Sequence, residues 1–186
     1  MTKNRKSIRL INLLILMILA GCAQNKSFVS DLSSTSHRII ATAHPEEPRH
    51  DCDTLVINCI DYRFAFANQE FITETLGLKG NYDHISIPGG IYNLIQPATQ
   101  EIVLSKFTNS INFRLIKHVI MISHKDCGGY GGSAAFGSET AEQEYLSSDL
   151  RKARTLLLAK YPTLKIDLYI ETLTPEGVDF EEVLKK

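Results

Sequence analysis

At 186 residues, with 44% hydrophobic and 22% charged side chains, the chain can build one ordinary domain around a buried core and lacks the composition of a disordered protein. Its 20 basic and 21 acidic residues give a formal net charge of −1 at pH 7, without the positive excess of a chain built to bind nucleic acid.

The first stretch reads as a targeting segment. Lys3, Arg5, Lys6 and Arg9 form a basic n-region, Leu10 to Leu19 an apolar h-region, and Leu19-Ala20-Gly21-Cys22 closes it. The apolar run is short for a permanent membrane span. Leu-Ala-Gly-Cys at this place resembles the bacterial lipobox. The resemblance implies a lipoprotein signal peptide at 1–21, cut before Cys22, with lipid on the Cys22 thiol; a plain signal peptide cut nearby, or an uncleaved anchor, is the alternative. Losing 1–21 removes four basic residues and no acidic ones, which leaves 16 basic against 21 acidic, a net of −5. From Ala23 to about Arg49 the chain is polar and Ser-rich and ends in His44-Pro45-Glu46-Glu47-Pro48. Residues 22–50 are therefore expected to be a lipidated, flexible tether. It would hold the protein at the membrane of a bacterial cell envelope, on the periplasmic side or at the outer membrane. Arg38-Ile39-Ile40-Ala41 is the one part of the tether that could pack as an arm on the domain or on a second subunit. His37, His44 and His50 read as solvated linker histidines, with a metal-binding tract as the alternative.

The domain, 51–186, begins with Thr54 to Asn58, an apolar run of the kind that lies buried on both faces of a parallel sheet. Phe64 to Leu78, with Phe66, Phe71, Leu76 and Leu78 among polar residues, has a helical spacing that Gly80-Asn81 ends. Asp83 to Ile87 predicts a second strand, broken by Pro88-Gly89-Gly90. Ile91 to Phe107 predicts a helix with Leu94, Ile95, Ile102, Val103 and Phe107 on its inner side, despite Pro97 near its start. His118 to Ser123 is a third buried strand. Ser138 to Lys160 predicts a long helix, capped by Ser138, with Tyr145, Leu146, Leu150, Ala153 and Leu157 inward and Pro162 as its stop. Leu164 to Ile170 alternates like an edge or one-sided strand, and Phe180 to Leu184 predicts a closing helical turn. The order βαβαβαβ, with connections long enough for crossovers, predicts an α/β fold: a mostly parallel sheet flanked by helices.

Two of the buried strands deliver polar groups at their carboxyl ends, the edge where open α/β sheets hold ligands. The first runs into Cys59-Ile60-Asp61-Tyr62-Arg63, the third into His124-Lys125-Asp126-Cys127-Gly128. Side chains on an extended chain repeat every two residues, so Cys59, Asp61 and Arg63 can project to one side. Cys59, His124 and Cys127 together make a Cys₂His set suited to Zn²⁺, with the fourth position open, and Asp61 can pair with Arg63 beside that opening. A Cys59–Cys127 disulfide is the rival reading in an exported chain, but it leaves His124, Asp61 and Arg63 without a role. Cys52 reads as an incidental thiol, or as a fourth ligand that would close the site. A Cys-phosphatase loop fails because Asp126 and Ser133 stand where its histidine and arginine belong. The glycines at 129 and 131 imitate a dinucleotide fingerprint but lack its later acidic strand end. They read instead as turn residues that let backbone pass close to the metal. His84 and His118 read as structural.

Cys59-x-Asp61-x-Arg63 with His124-x-x-Cys127 resembles the β-class carbonic anhydrases, whose small members carry a similar His-x-Asp-Cys-Gly. The resemblance spans about residues 52–186. It implies Cys59, His124 and Cys127 as zinc ligands, Asp61 with Arg63 as the catalytic pair, CO₂ and bicarbonate as substrate and product, and a homodimer. Where that family usually carries an Arg-Asn-Ala-Gly type turn, this chain has Ser86-Ile87-Pro88-Gly89-Gly90, which keeps the glycines and loses the polar residues. That departure motivates two other readings: a zinc protein that binds or senses without turnover, and a hydrolase of another small heterocumulene.

Overall fold

The computed structural model describes residues 51–184. The signal segment, Cys22, the tether with Arg38 to Ala41, and His37, His44 and His50 lie outside the described residues. Five strands form one sheet in the order β2-β1-β3-β4-β5. These are β1 (Thr54–Asn58), β2 (Tyr82–Ser86), β3 (His118–His124), β4 (Lys165–Thr174) and β5 (Gly177–Glu182). The first four run parallel, and β5 returns antiparallel beside β4.

The period-2 alternation of the central strands divides the core between the two faces of the sheet. Leu55, Ile57, Val119 and Met121 lie in one buried cluster with Leu94, Phe107, Leu146 and Leu150. Val56, Ile120 and Ile122 lie in the other, with Ile72, Phe71 and Phe180. Because β1 and β3 are covered on both faces, their runs are apolar without interruption, as their sequence requires. Each fully buried leucine or isoleucine here contributes about 2 kcal/mol.

Helix α1 (Tyr62–Glu70) buries Phe64 and Asn68, one turn apart, and continues into a π-helical turn, Phe71–Thr75. Phe66 was expected inside. It points outward at 81% exposure, because Phe64 takes the inner position and a residue two further along a helix lies on nearly the opposite side. The single helix expected over 91–107 is two helices, α2 (Tyr92–Ile95) and α3 (Pro97–Arg114). Gln96 is extended, as the residue before a proline prefers, and Pro97 occupies the first turn of α3, where its missing N–H costs nothing. Leu94, Val103 and Phe107 are buried as expected, whereas Ile102 is exposed.

Helix α4 (Glu139–Lys160) starts where its cap predicts, with Ser138 Oγ accepting from the Ala141 N–H. Leu146, Leu150, Ala153 and Leu157 are fully buried, and Tyr145 stands half exposed. Two features at the end of the chain differ from expectation. Strand β4 lies inside the sheet rather than at its edge, though it buries Ile166, Leu168 and Ile170 on one side as its alternation predicts, and residues 180–182 belong to strand β5 rather than to a helical turn. Phe180 explains the second: on a strand it stacks flat on Phe71, with ring centroids 4.0 Å apart.

Candidate metal centre

The site lies at the carboxyl edge of β1 and β3, where the sheet hands over to loops. Cys59 follows β1 directly, Asp61 caps α1, and Arg63 sits in its first turn. His124 is the last residue of β3, and Cys127 follows a tight turn in which Asp126 adopts a left-handed φ of 57°. The ligand atoms of Cys59, His124 and Cys127 all lie within 4.8 Å of one another. His124 and Cys127 are buried and Cys59 half-buried.

Two glycine turns make this approach possible. A Cβ on Gly90, which has φ of 46°, would come within 2.9 Å of the Asn58 and Cys59 backbone, and a Cβ on Gly129 would stand 2.6 Å from the Gly89 Cα. The Ser86 to Gly90 turn, which lacks the polar residues usual in the resembled family, offers a backbone donor to the site: the Gly89 N–H donates to Cys59 Sγ at 3.3 Å.

The electrostatics favour one thiolate even without a metal. A hydrogen bond from Cys127, helped by His124 and the Gly89 N–H, overcomes burial and holds the Cys59 thiol well below its usual range. The same hydrogen bond, with burial, pushes Cys127 up. Burial pulls the His124 imidazole down, but the Cys59 thiolate and the Lys125 carbonyl more than offset it, so its proton affinity is raised.

His124 Nδ1 stands 2.8 Å from the Lys125 carbonyl, which can only accept, so Nδ1 carries the hydrogen in the neutral ring. Nε2 is left buried with no hydrogen-bond partner. An orphaned imidazole nitrogen facing two sulfurs is the donor set that a tetrahedral soft-to-borderline cation such as zinc takes, and three ligands leave a fourth position open. The residues present fit that ion.

Asp61 and Arg63 pair as expected, though through the start of α1 rather than along an extended chain, since Asp61 caps the helix and Arg63 lies in its first turn. Arg63 Nε donates to Asp61 Oδ1 at 3.0 Å and Nη2 to Oδ2 at 2.7 Å, and the Arg63 backbone N–H donates to Oδ1 at 3.0 Å. These bonds hold the Asp61 carboxyl below its ordinary range. Asp61 Oδ2 is 4.0 Å from His124 Nε2, so the pair borders the metal position.

The other sequence readings divide. Cys52, Cys59 and Cys127 are all free thiols, so there is no disulfide among the described residues. Cys52 is not in the cluster; its Sγ faces the Thr54 carbonyl at 3.7 Å, at the start of β1. His84 Nε2 pairs with Asn58 Oδ1 at 3.0 Å and His118 Nε2 with Asp167 Oδ2 at 2.8 Å, both in structural roles.

Of the three buried acids among the described residues, Glu142, Asp149 and Glu171, none of which the sequence marked, two act on residues of the site. Glu142 on α4 holds the Asp126 turn. Glu171 on β4, paired in register with His124, is fully buried; Asn68 Nδ2 donates to it at 3.1 Å, and burial raises its carboxyl to about 8. No local pattern marks either, since each acts on residues far away in the chain. The one available signal was a charged residue at an inward position of a helix or an interior strand.

Two proteins of Rickettsia are similar to this chain at 27% identity over 130 residues. "Uncharacterized protein RC0076" of Rickettsia conorii matches over 65% of this chain and 68% of its own, and an "Uncharacterized protein" of Rickettsia bellii over 65% and 77%. Among solved structures, the β-carbonic anhydrase CafA of Aspergillus fumigatus aligns with 97% of this chain and 93% of its own, at 14% identity and a TM-score of 0.43. A tetrameric β-carbonic anhydrase of Sordaria macrospora aligns over 97% and 98%, at 14% identity and a TM-score of 0.45. The family model described as "Putative carbonic anhydrase" matches residues 49–177, well over half the chain and every residue of the site, and the protein belongs to that family.

Proposed function

We propose that the protein is a zinc enzyme that catalyses the reversible hydration of CO₂ to bicarbonate, with Cys59, His124 and Cys127 holding the metal and Asp61 and Arg63 assisting the reaction. The observation that carries this reading is the orphaned Nε2 of His124 between two sulfurs, with a carboxylate oxygen 4.0 Å away. Zinc bound there supplies the Lewis acidity that makes water a nucleophile near neutral pH.

The chain's own residues do the rest. The Lys125 carbonyl fixes the His124 tautomer that presents Nε2. The Gly89 N–H helps keep Cys59 a thiolate. Asp61, kept ionised by Arg63, accepts a hydrogen bond from the attacking water and so orients its lone pair toward the CO₂ carbon. Phe64, buried with its ring centroid 4.6 Å from that of His124, packs against the imidazole and helps fix its plane.

Zinc content and CO₂ hydration measured on one sample of the full chain test this reading. About one zinc per chain with hydration is expected. Zinc-free protein of normal fold overturns it. Full zinc loading with no hydration between roughly pH 6 and 9 points instead to a binding or sensing protein, or to another heterocumulene as substrate.

We also propose that Cys22 is lipidated and anchors the protein in the bacterial envelope, on the strength of the Leu19 to Cys22 tetrapeptide. Changing Cys22 to Ser should release the protein from the membrane fraction or leave it unprocessed. A wild type already soluble and a variant that behaves alike count against it. The resemblance that suggests a homodimer is tested by measuring the mass of the purified protein in solution.

A further inference from the structure

We propose that Asp126, backed by Glu142, is a positioning residue that holds the Arg63 guanidinium against Asp61. The proposal rests on the carbonic anhydrase reading, because its consequence is felt at Asp61 beside the metal position.

Arg63 is gripped on two edges. One edge faces Asp61 through Nε and Nη2; on the other, Nη1 donates to Asp126 Oδ2 at 2.8 Å and Nη2 to the Asp126 carbonyl at 3.0 Å. A guanidinium held on one side can rock about that contact, whereas one held on both sides is fixed in plane and direction. The second grip comes from the turn between His124 and Cys127. It therefore ties the catalytic pair of one strand end to the ligands of the other.

The Asp126 turn is itself built for this. Its backbone is left-handed, a conformation that Asp tolerates better than most residues but that needs support. The support is Glu142, 2% exposed, which uses both carboxylate oxygens: Oε1 accepts the Asp126 N–H at 2.7 Å and Oε2 accepts the Ser133 hydroxyl at 2.7 Å. The ring closes when the Ser133 N–H donates to Asp126 Oδ1 at 3.1 Å. A buried carboxylate with both oxygens committed to one loop specifies that loop's geometry. The Asp126 side chain, by contrast, is 55% exposed, where an ion pair adds little stability; direction is what it supplies to Arg63. Without it, Arg63 can swing into solvent, and Asp61 is released to turn toward His124 Nε2 and the open metal position.

Asp126→Asn in the full chain separates direction from stability. Asn keeps an acceptor for the Ser133 N–H and accepts the left-handed backbone, but loses the charge that faces Nη1. Zinc content and melting temperature should stay near wild type, while kcat for CO₂ hydration falls about 10- to 100-fold with KM little changed. In metal-free protein, the Arg63 side-chain N–H signals, slow to exchange with water in the wild type, should exchange fast. Unchanged kcat with unchanged Arg63 signals overturns the proposal, and so does a fall in kcat that tracks lost zinc or a lost fold. Should Asp126→Asn not fold, the same measurements on Glu142→Gln decide, with a smaller shift in the same direction expected. A wild type that binds zinc without hydrating CO₂ removes the functional reading, yet the Arg63 exchange rates still decide the positioning.

Discussion

Strand β3 carries a histidine at each end, and the two have opposite surroundings. At its start, His118 is half-buried and satisfied: Nε2 meets Asp167 Oδ2 at 2.8 Å, and Lys165 Nζ meets the same oxygen at 2.6 Å. At its end, His124 is almost fully buried, one nitrogen is spent on the Lys125 carbonyl, and the other has no hydrogen-bond partner, with Asp61 Oδ2 at 4.0 Å. A buried polar atom left unpaired costs roughly 1–3 kcal/mol, and what sets His124 apart from other such atoms is that its Nε2 faces the sulfurs of Cys59 and Cys127. The difference teaches that the surroundings of a histidine's second nitrogen, more than its burial, set a structural imidazole apart from a candidate metal ligand.

Ligand removal breaks this comparison most strongly. His124→Ala or Cys59→Ser should abolish both stoichiometric zinc and CO₂ hydration, whereas His118→Gln should keep both, as metal analysis of the purified variants will read. Equal zinc loss at both ends of the strand would falsify the distinction. Asp61→Asn comes next: zinc should remain, and kcat should fall by about 10²- to 10⁴-fold, the range for a lost acid–base group. Steady-state hydration assays on zinc-matched samples measure it, and loss of zinc in that variant would mean that Asp61 supports the metal rather than the reaction.

How much of this was legible in the sequence follows from how local each signal is. β1 and β3 are continuous apolar runs, and the candidate site residues sit at fixed short distances from their ends, so Cys59, Asp61, Arg63, His124 and Cys127 could be placed at one sheet edge without a structure. Strand β5 was not legible, because Gly177 to Glu182 is largely exposed and rich in acids, and only its pairing with β4 and the Phe180–Phe71 stack make it a strand. The break at Gln96-Pro97 was visible as a proline but not as a boundary, since the apolar pattern runs across it. Glu142 and Glu171 were invisible for a different reason. Their partners lie 16 and 103 residues away, and no period in a sequence records such a contact.

Glu171 sharpens the comparison through pH. Burial is the main cause that raises its folded carboxyl to about 8, while an unfolded glutamate titrates near 4.5. The folded protein therefore retains a proton that the unfolded chain releases, and stability falls as pH rises from about 4.5 to about 8, then levels. Glu171→Gln keeps an acceptor for Asn68 Nδ2 and removes the titration. Denaturation of metal-free protein should show the variant gaining on the wild type across that window, by up to about 1.4 kcal/mol per pH unit, with no gain below it. Parallel pH dependence in the two proteins would count against a protonated Glu171.

The smallest effect belongs to His118, and its sign is opposite. Burial lowers the folded His118 below its ordinary 6.5, although Asp167 resists. Here the unfolded chain binds the proton more readily than the folded protein does, so the contribution is fully present above pH 6.5 and is lost as pH falls through the depressed folded value. His118→Gln should cost about 1 kcal/mol at pH 8, the worth of one hydrogen bond to Asp167, with the deficit shrinking as pH falls below 6.5 because only the wild type pays to protonate. Zinc content should not move at any pH where the wild type keeps its own. A deficit that instead grows on acidification would mean that the ring is already charged in the folded protein, held as an imidazolium by Asp167. The two ends of β3 would then differ in charge as well as in partners.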